Sequence, residues 1–184
     1  MKKTYISWGD VERYTQHILR QMQLDQWRPD YVIGLTRGGL TPANLISQYL
    51  DVPMHALKVS LRDDDDCETN CWMAEDAFGY VQASDNDYSW TRADRSARKQ
   101  ILIVDDINDS GATLNWIRRD WQSSIFADDP AWAEIWGDNV RIAVIVDNES
   151  SDCEIPISYS AVNVNKMEDP QWIVFPWEDW WLNE

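Results

Sequence analysis

Asp105, Asp106 and Asp109 lie between an apolar run, Ile101-Leu102-Ile103-Val104, and a turn of small, hydroxylated residues, Ser110-Gly111-Ala112-Thr113. Mostly β-branched residues ended by turn chemistry read as a strand buried on both faces. Leu114, Ile117 and Trp121 then recur at helical spacing. A turn that opens a helix has backbone N–H groups free to hold an anion. Ser110 and Thr113 add hydroxyl donors, and Gly111 lets a ligand approach the backbone closely. In an open α/β sheet, ligands sit beyond the carboxyl ends of the strands, which places the three acids beside bound substrate. A pair of acids alone reads as solvated loop residues. The complete pattern from Ile101 to Leu114 carries the functional reading.

A second stretch repeats the arrangement. Tyr31-Val32-Ile33-Gly34-Leu35 reads as a buried strand, Thr36-Arg37-Gly38-Gly39 as its turn, and a helix follows from about Pro42 to Leu50. Arg37 offers a planar fork of donors suited to phosphate oxygens.

Other elements must position these turns. Ser7 and Asp10 have the spacing of a capping box, and Val11, Tyr14, Ile18 and Met22 predict an amphipathic helix over about Trp8 to Gln23. Met54–Leu61, Val140–Val146 and Ser158–Val164 read as further strands, the second ending at Asp147-Asn148. Trp132 and Trp136, four apart, mark a short helix used in core packing or a subunit contact. The fold class is α/β with a mostly parallel twisted sheet and flanking helices, a single domain over residues 1–184. Residues 62–100 lack a clear period, and Asp63-Asp64-Asp65-Asp66 favours exposure. The stretch reads as a mobile lid or as a surface insertion, with a possible irregular hairpin between Gly79–Ala83 and Asp87–Thr91.

Charge excludes some roles. Against 16 Lys plus Arg stand 32 Asp plus Glu, a net of -16. Such a chain is not expected to bind nucleic acid or an anionic membrane non-specifically. No apolar run is long enough to span a membrane, and no signal peptide is evident. Cys67, Cys71 and Cys153 make no disulfide framework, so a reducing, cytoplasmic location is expected; Cys67 and Cys71 read as free thiols rather than half a zinc site.

The Ile101–Leu114 pattern resembles the phosphoribosyl-pyrophosphate (PRPP) loop of type I phosphoribosyltransferases. Thr36-Arg37-Gly38-Gly39 resembles the pyrophosphate loop of that family. Gln171-Trp172-Ile173-Val174-Phe175-Pro176-Trp177-Glu178 reads as an apolar edge strand stopped by Pro, and resembles the base-binding segment of the xanthine-guanine and hypoxanthine branch. The match covers Tyr5–His55, Ile101–Thr113 and Trp172–Glu178.

The resemblance implies transfer of a 5-phosphoribosyl group from PRPP to a purine or purine-like base, with Mg²⁺ as cofactor, giving a nucleoside monophosphate and pyrophosphate in purine salvage. It implies a small hood from the chain termini, base-binding at about residues 165–184, and a homodimer or higher homo-oligomer. Asp105 and Asp106 would engage the ribose hydroxyls and help organise Mg²⁺. Asn108, Asp109, Ser110, Gly111, Ala112 and Thr113 would wrap the 5′-phosphate, with Asp109 also near N7 of the purine as the proton-transfer group. Thr36, Arg37 and Gly38 would bind pyrophosphate through a non-proline cis peptide, and Lys58 either reaches it too or is a solvated strand-end lysine. Trp172 and Ile173 would contact the base, partly through backbone groups, and Glu178 would be a water-mediated second metal contact.

One departure stands out. Enzymes of this branch that take 6-oxopurines carry a Lys just after the fourth strand, which reads the O6 carbonyl. Here Asp147-Asn148-Glu149 follows instead, and an acid there would accept from an amino or ring N–H group; Asn148 or Lys166 are the candidates for a substitute donor. A PRPP-binding regulatory protein on the same fold is the alternative. A receiver-like or phosphatase domain using Asp105 leaves Arg37-Gly38-Gly39 without a role.

Overall fold

Ile101–Asn108 forms the middle strand of the sheet, and both its apolar faces are covered by helices. The computed structural model of the protein describes residues 1–59, 71–81, 92–178 and 180–182. Its elements are β1 (Lys2–Tyr5), α1 (Trp8–Leu24), β2 (Tyr31–Leu35), α2 (Leu40–Leu50), β3 (Met54–Leu57), α3 (Cys71–Phe78), β4 (Tyr80–Val81) and β5 (Arg92–Ala93). They continue as β6 (Ile101–Asn108), α4 (Ala112–Ser124), α5 (Trp132–Ile135), β7 (Val140–Asn148), β8 (Tyr159–Val164) and β9 (Gln171–Val174). The main sheet has the order β3-β2-β6-β7-β8 and every pairing in it is parallel.

The period-2 alternation of strands divides the core in two. Ile33, Leu35, Ile101, Ile103, Ile142 and Val144 face α3, α4 and α5. Val32, Leu102, Val104 and Ala143 face the opposite way, onto Ile18 and Met22 of α1 and Ala43 and Ile46 of α2. Ser7 and Asp10 form the expected capping box on α1, with reciprocal bonds to each other's backbone N–H. β1 and β9 join the two ends of the chain in a separate parallel pair, which is the expected hood. It packs on the main sheet through Ile6, Val11, Ile145, Val146, Ile173 and Phe175.

Three expectations need correction. β6 continues through the aspartates to Asn108, because β7 beside it runs on to Asn148 and pairs Asp105 with Val144 and Asn108 with Asp147. β3 ends at Leu57, and positions 60–61 of the longer strand expected there lie outside the described residues. The stretch 62–100 is not a lid throughout. α3 buries Met73, Ala74, Ala77 and Phe78 in the core, a helical spacing hidden by polar flanks. Tyr80–Val81 pairs antiparallel with Arg92–Ala93, and positions 62–70 and 82–91, which hold most of the hairpin expected there, lie outside the described residues.

Trp132 is fully buried, stacks on Trp136 and donates its indole N–H to the Ile125 carbonyl at 3.0 Å, so it serves the core. Trp132→Ala is expected to cost about 3–5 kcal/mol of stability. Urea unfolding checks this, and a loss under about 1 kcal/mol would contradict it.

Candidate active site at the carboxyl edge of the sheet

Because the five strands of the main sheet are parallel, their carboxyl ends share one edge. The loops after β2, β3, β6, β7 and β8 all open there, and they carry Thr36–Gly39, Lys58, Asp109–Gly111, Glu149 onward, and Lys166. The sheet thus gathers residues far apart in sequence.

The β2 and β6 loops touch. A Cβ on Gly38 would lie 1.8 Å from Asp106 Oδ2, and one on Gly39 would lie 2.3 Å from the Val104 carbonyl oxygen. Both positions need glycine for close approach rather than for an unusual φ. The Thr36–Arg37 peptide is cis, in keeping with the resemblance. Arg37 is exposed and makes no ion pair among the described residues. The Thr36 N–H donates to the Leu57 carbonyl at 3.0 Å, which sets Lys58 beside this turn by register.

Asp105 and Asp106 are half-buried neighbours, and the Asp106 backbone N–H donates to Asp105 Oδ1 at 2.9 Å. Desolvation pushes the Asp106 carboxyl from its ordinary 3.8 to about 6, with the charge of Glu178 adding to the rise. Desolvation, then the charge of Asp106, also holds Asp105 well above its ordinary value. Between the unfolded and folded values the folded chain keeps a proton that the unfolded chain releases. Folding stability from Asp106 therefore falls as pH rises from about 4 to about 6. In chelator-treated protein, Asp106→Asn should flatten that fall, measured as urea midpoints across the pH window. Parallel curves for variant and wild type would contradict it.

Gly111, at φ 83°, caps α4 with no side chain of its own; the Ala112 N–H donates to Ser110 Oγ at 3.3 Å, and the following first-turn N–H groups of Thr113 and Leu114 face the site for an anion. A Cβ there would also meet the Cys153 backbone N at 2.5 Å. The segment 148–154 braces this loop from behind. Asp152 N–H donates to the Ser110 carbonyl at 3.2 Å, and Asn115 Nδ2 donates to the Asp152 carbonyl at 2.8 Å. Asn108 is buried and donates from Nδ2 to Asp147 Oδ1 at 2.8 Å and to Ser151 Oγ at 2.9 Å. Asn108 thus holds the strand ends together from within the sheet. Asp147 gives Oδ1 to that amide, so one of its carboxylate oxygens is engaged within the sheet.

Asp109 lies at the centre of the edge. Its Oδ1 accepts from Lys166 Nζ at 2.7 Å, and its backbone carbonyl accepts from Asn148 Nδ2 at 2.7 Å. Sequence reasoning named Lys166 and Asn148 without locating them. Their proximity to Asp109 depends on β7 and β8 ending together, which no local pattern announces.

The hood residues divide. Successive strand residues face opposite ways, so Ile173 is buried in the hood core while Trp172 is 41% exposed. The two side chains cannot present to one base together, which leaves Ile173 its backbone groups. Glu178 Oε1 accepts from the Phe175 N–H at 3.3 Å. Among the described residues no group of three or more His, Cys, Asp or Glu is arranged to hold a metal by itself. The Asp105–Asp106 pair by itself fits Mg²⁺, which is typically bound by one or two carboxylates together with substrate phosphates. Burial, more than neighbouring charge, raises both carboxyls, and a bound cation would favour their ionised form. Cys71 and Cys153 are free, and among the described residues no helix is long and apolar enough to cross a membrane.

With this geometry in place, comparison with known proteins is informative. A family model described as "Phosphoribosyl transferase domain" matches residues 6–179. Xanthine phosphoribosyltransferase 1 of Saccharomyces cerevisiae is 21% identical over 188 residues, covering 96% of this chain and 90% of the yeast protein. The hypoxanthine-guanine phosphoribosyltransferase of Schizosaccharomyces pombe is 24% identical over 200 residues, covering 96% of this chain and 89% of its own length. A crystal structure of a purine phosphoribosyltransferase from Pyrococcus horikoshii superposes with a TM-score of 0.60 at 22% identity, covering 97% of this chain and 96% of that one.

Proposed function

Since the chain belongs to the phosphoribosyl transferase domain family, we propose that it moves the 5-phosphoribosyl group of PRPP onto a purine base, yielding a nucleoside monophosphate and pyrophosphate in purine salvage. The observation that carries this reading is the junction of Gly38 with Asp106. It sets an anion-ready turn against a carboxylate pair, with the open α4 N-terminus on the same edge. A ligand with a diol and phosphates at two ends fits that arrangement.

The roles follow from the chemistry. In the reaction the C1–oxygen bond to pyrophosphate breaks, a C1–nitrogen bond to the base forms, and the base gives up a proton. Positive charge grows on the ribose and negative charge on the leaving group. Arg37 and the backbone N–H groups of Thr36–Gly38 would stabilise the pyrophosphate. Asp105 and Asp106 would hold the ribose hydroxyls and carry Mg²⁺, which when bound offsets charge on pyrophosphate. The α4 N-terminus would hold the 5′-phosphate. Asp109 would accept the N7 proton, and the exposed Trp172 ring would lie against the base. A cytoplasmic location and a homodimer belong to the same reading; light scattering on the purified protein checks the latter.

The test is pyrophosphate release from PRPP and Mg²⁺ with adenine, guanine, hypoxanthine or xanthine. At least one base should support turnover, and chelation should abolish it. Tight PRPP binding without turnover on any base would overturn the transfer reading in favour of a PRPP-binding regulatory protein.

A further inference from the structure

We infer that Asn115, one turn into α4, is a positioning residue for the 5′-phosphate end of the substrate: its amide clamps Asp152–Glu154, and that segment fixes the orientation of the Ser110–Gly111 peptide. The inference deepens the proposed transfer reading and rests on it. Asn115 is 7% exposed, in a helix where a short amide side chain has no intrinsic advantage. Both ends of the amide grip one piece of backbone. Its Nδ2 donates to the Asp152 carbonyl at 2.8 Å, and its Oδ1 accepts from the Glu154 N–H at 2.7 Å. Arg118, one turn further along α4, pairs with the Glu154 carboxylate and secures the same segment.

The clamped segment meets the phosphate turn from behind. The Asp152 N–H donates to the Ser110 carbonyl at 3.2 Å. The Ser110–Gly111 peptide is trans, and the C=O and N–H of a planar trans peptide point in opposite directions. Holding the Ser110 carbonyl on Asp152 therefore turns the Gly111 N–H the other way, and that N–H donates to none of the described residues. Gly111, at φ 83°, has no side chain to resist rotation of this peptide. A flipped peptide would present a carbonyl oxygen to the anion in place of a donor. What prevents the flip is the segment behind: a Cβ on Gly111 would lie 2.5 Å from the Cys153 N and 2.6 Å from its Cα. Asn115 holds that segment in place without touching the ligand. In sequence it reads as a polar helix position, because its partners lie 37 and 39 positions further along the chain.

The experiment titrates ribose 5-phosphate, and separately pyrophosphate with Mg²⁺, into wild type, Asn115→Ala and Asn115→Asp, alongside the PRPP dependence of turnover. Asn115→Asp keeps the size of the side chain and the acceptor for Glu154, and loses the donor to Asp152. Both variants should lose about 10–100-fold in ribose 5-phosphate affinity, the range of a hydrogen bond to a charged group, with pyrophosphate affinity changed less than about threefold. In turnover the loss should fall on KM for PRPP, with kcat kept within about threefold. Parallel loss of both ligands, as from a chain that no longer folds, would overturn the inference. So would unchanged ribose 5-phosphate affinity in either variant, or no ribose 5-phosphate binding by wild type. Failure of the transfer reading looks different: no base is consumed, yet ribose 5-phosphate binds wild type and binds both variants more weakly.

Discussion

Replacing Asp109 with Asn is expected to slow ribosyl transfer about 10²–10⁴-fold while PRPP still binds. Asn keeps the shape of the side chain and an oxygen for Lys166 Nζ, but it cannot take the proton that leaves the base. The loop around it stays in place, because its backbone is held by Asn148 Nδ2 and by the Asp152–Ser110 bond, neither of which uses the Asp109 carboxylate. Single-turnover rates and a PRPP titration on the same preparation separate the two effects. If affinity for PRPP falls as far as the rate does, Asp109 serves the loop and not the proton transfer.

Gly38→Ala should act on the opposite step. The new methyl would overlap Asp106 Oδ2, so the carboxylate must swing away from the β2 turn. Returning the carboxylate to its binding position against the methyl costs about 1–3 kcal/mol, which is about 5–150-fold in affinity. PRPP binding should weaken by that factor, while the melting temperature shifts little because the clash is with a side chain. Gly39→Ala is a harsher change: its methyl would meet the backbone carbonyls of Val104 and Leu35, at 2.3 and 2.8 Å, and the fold itself would give. Calorimetric titration with PRPP checks the first variant, and unchanged affinity would contradict the packing of the two loops described above.

What could be read in the residues divides along one line. β2 and α1 follow from local patterns, apolar runs and a capping box, and lie where those patterns placed them, α1 running one residue further. The two anion-ready turns were legible for the same reason, since a strand, glycines and a helix start lie within a few residues. α3 was missed because its two apolar pairs are short and sit between polar stretches. β1 has no apolar alternation and forms only because β9 offers it a parallel partner from the far end of the chain. The tie of Asp147 to Asn108 was not legible because that partner comes from the neighbouring strand. Lys166 was visible only as a residue type. Its place beside Asp109 depends on β7 and β8 ending together.

The most direct measurement is mass spectrometry of the product formed from PRPP, Mg²⁺ and a mixture of purine bases. The account predicts a nucleoside monophosphate, one for each pyrophosphate released, and almost none with Asp109→Asn. Intact PRPP and unchanged bases after incubation with wild type, or full product from the Asn variant, would contradict it.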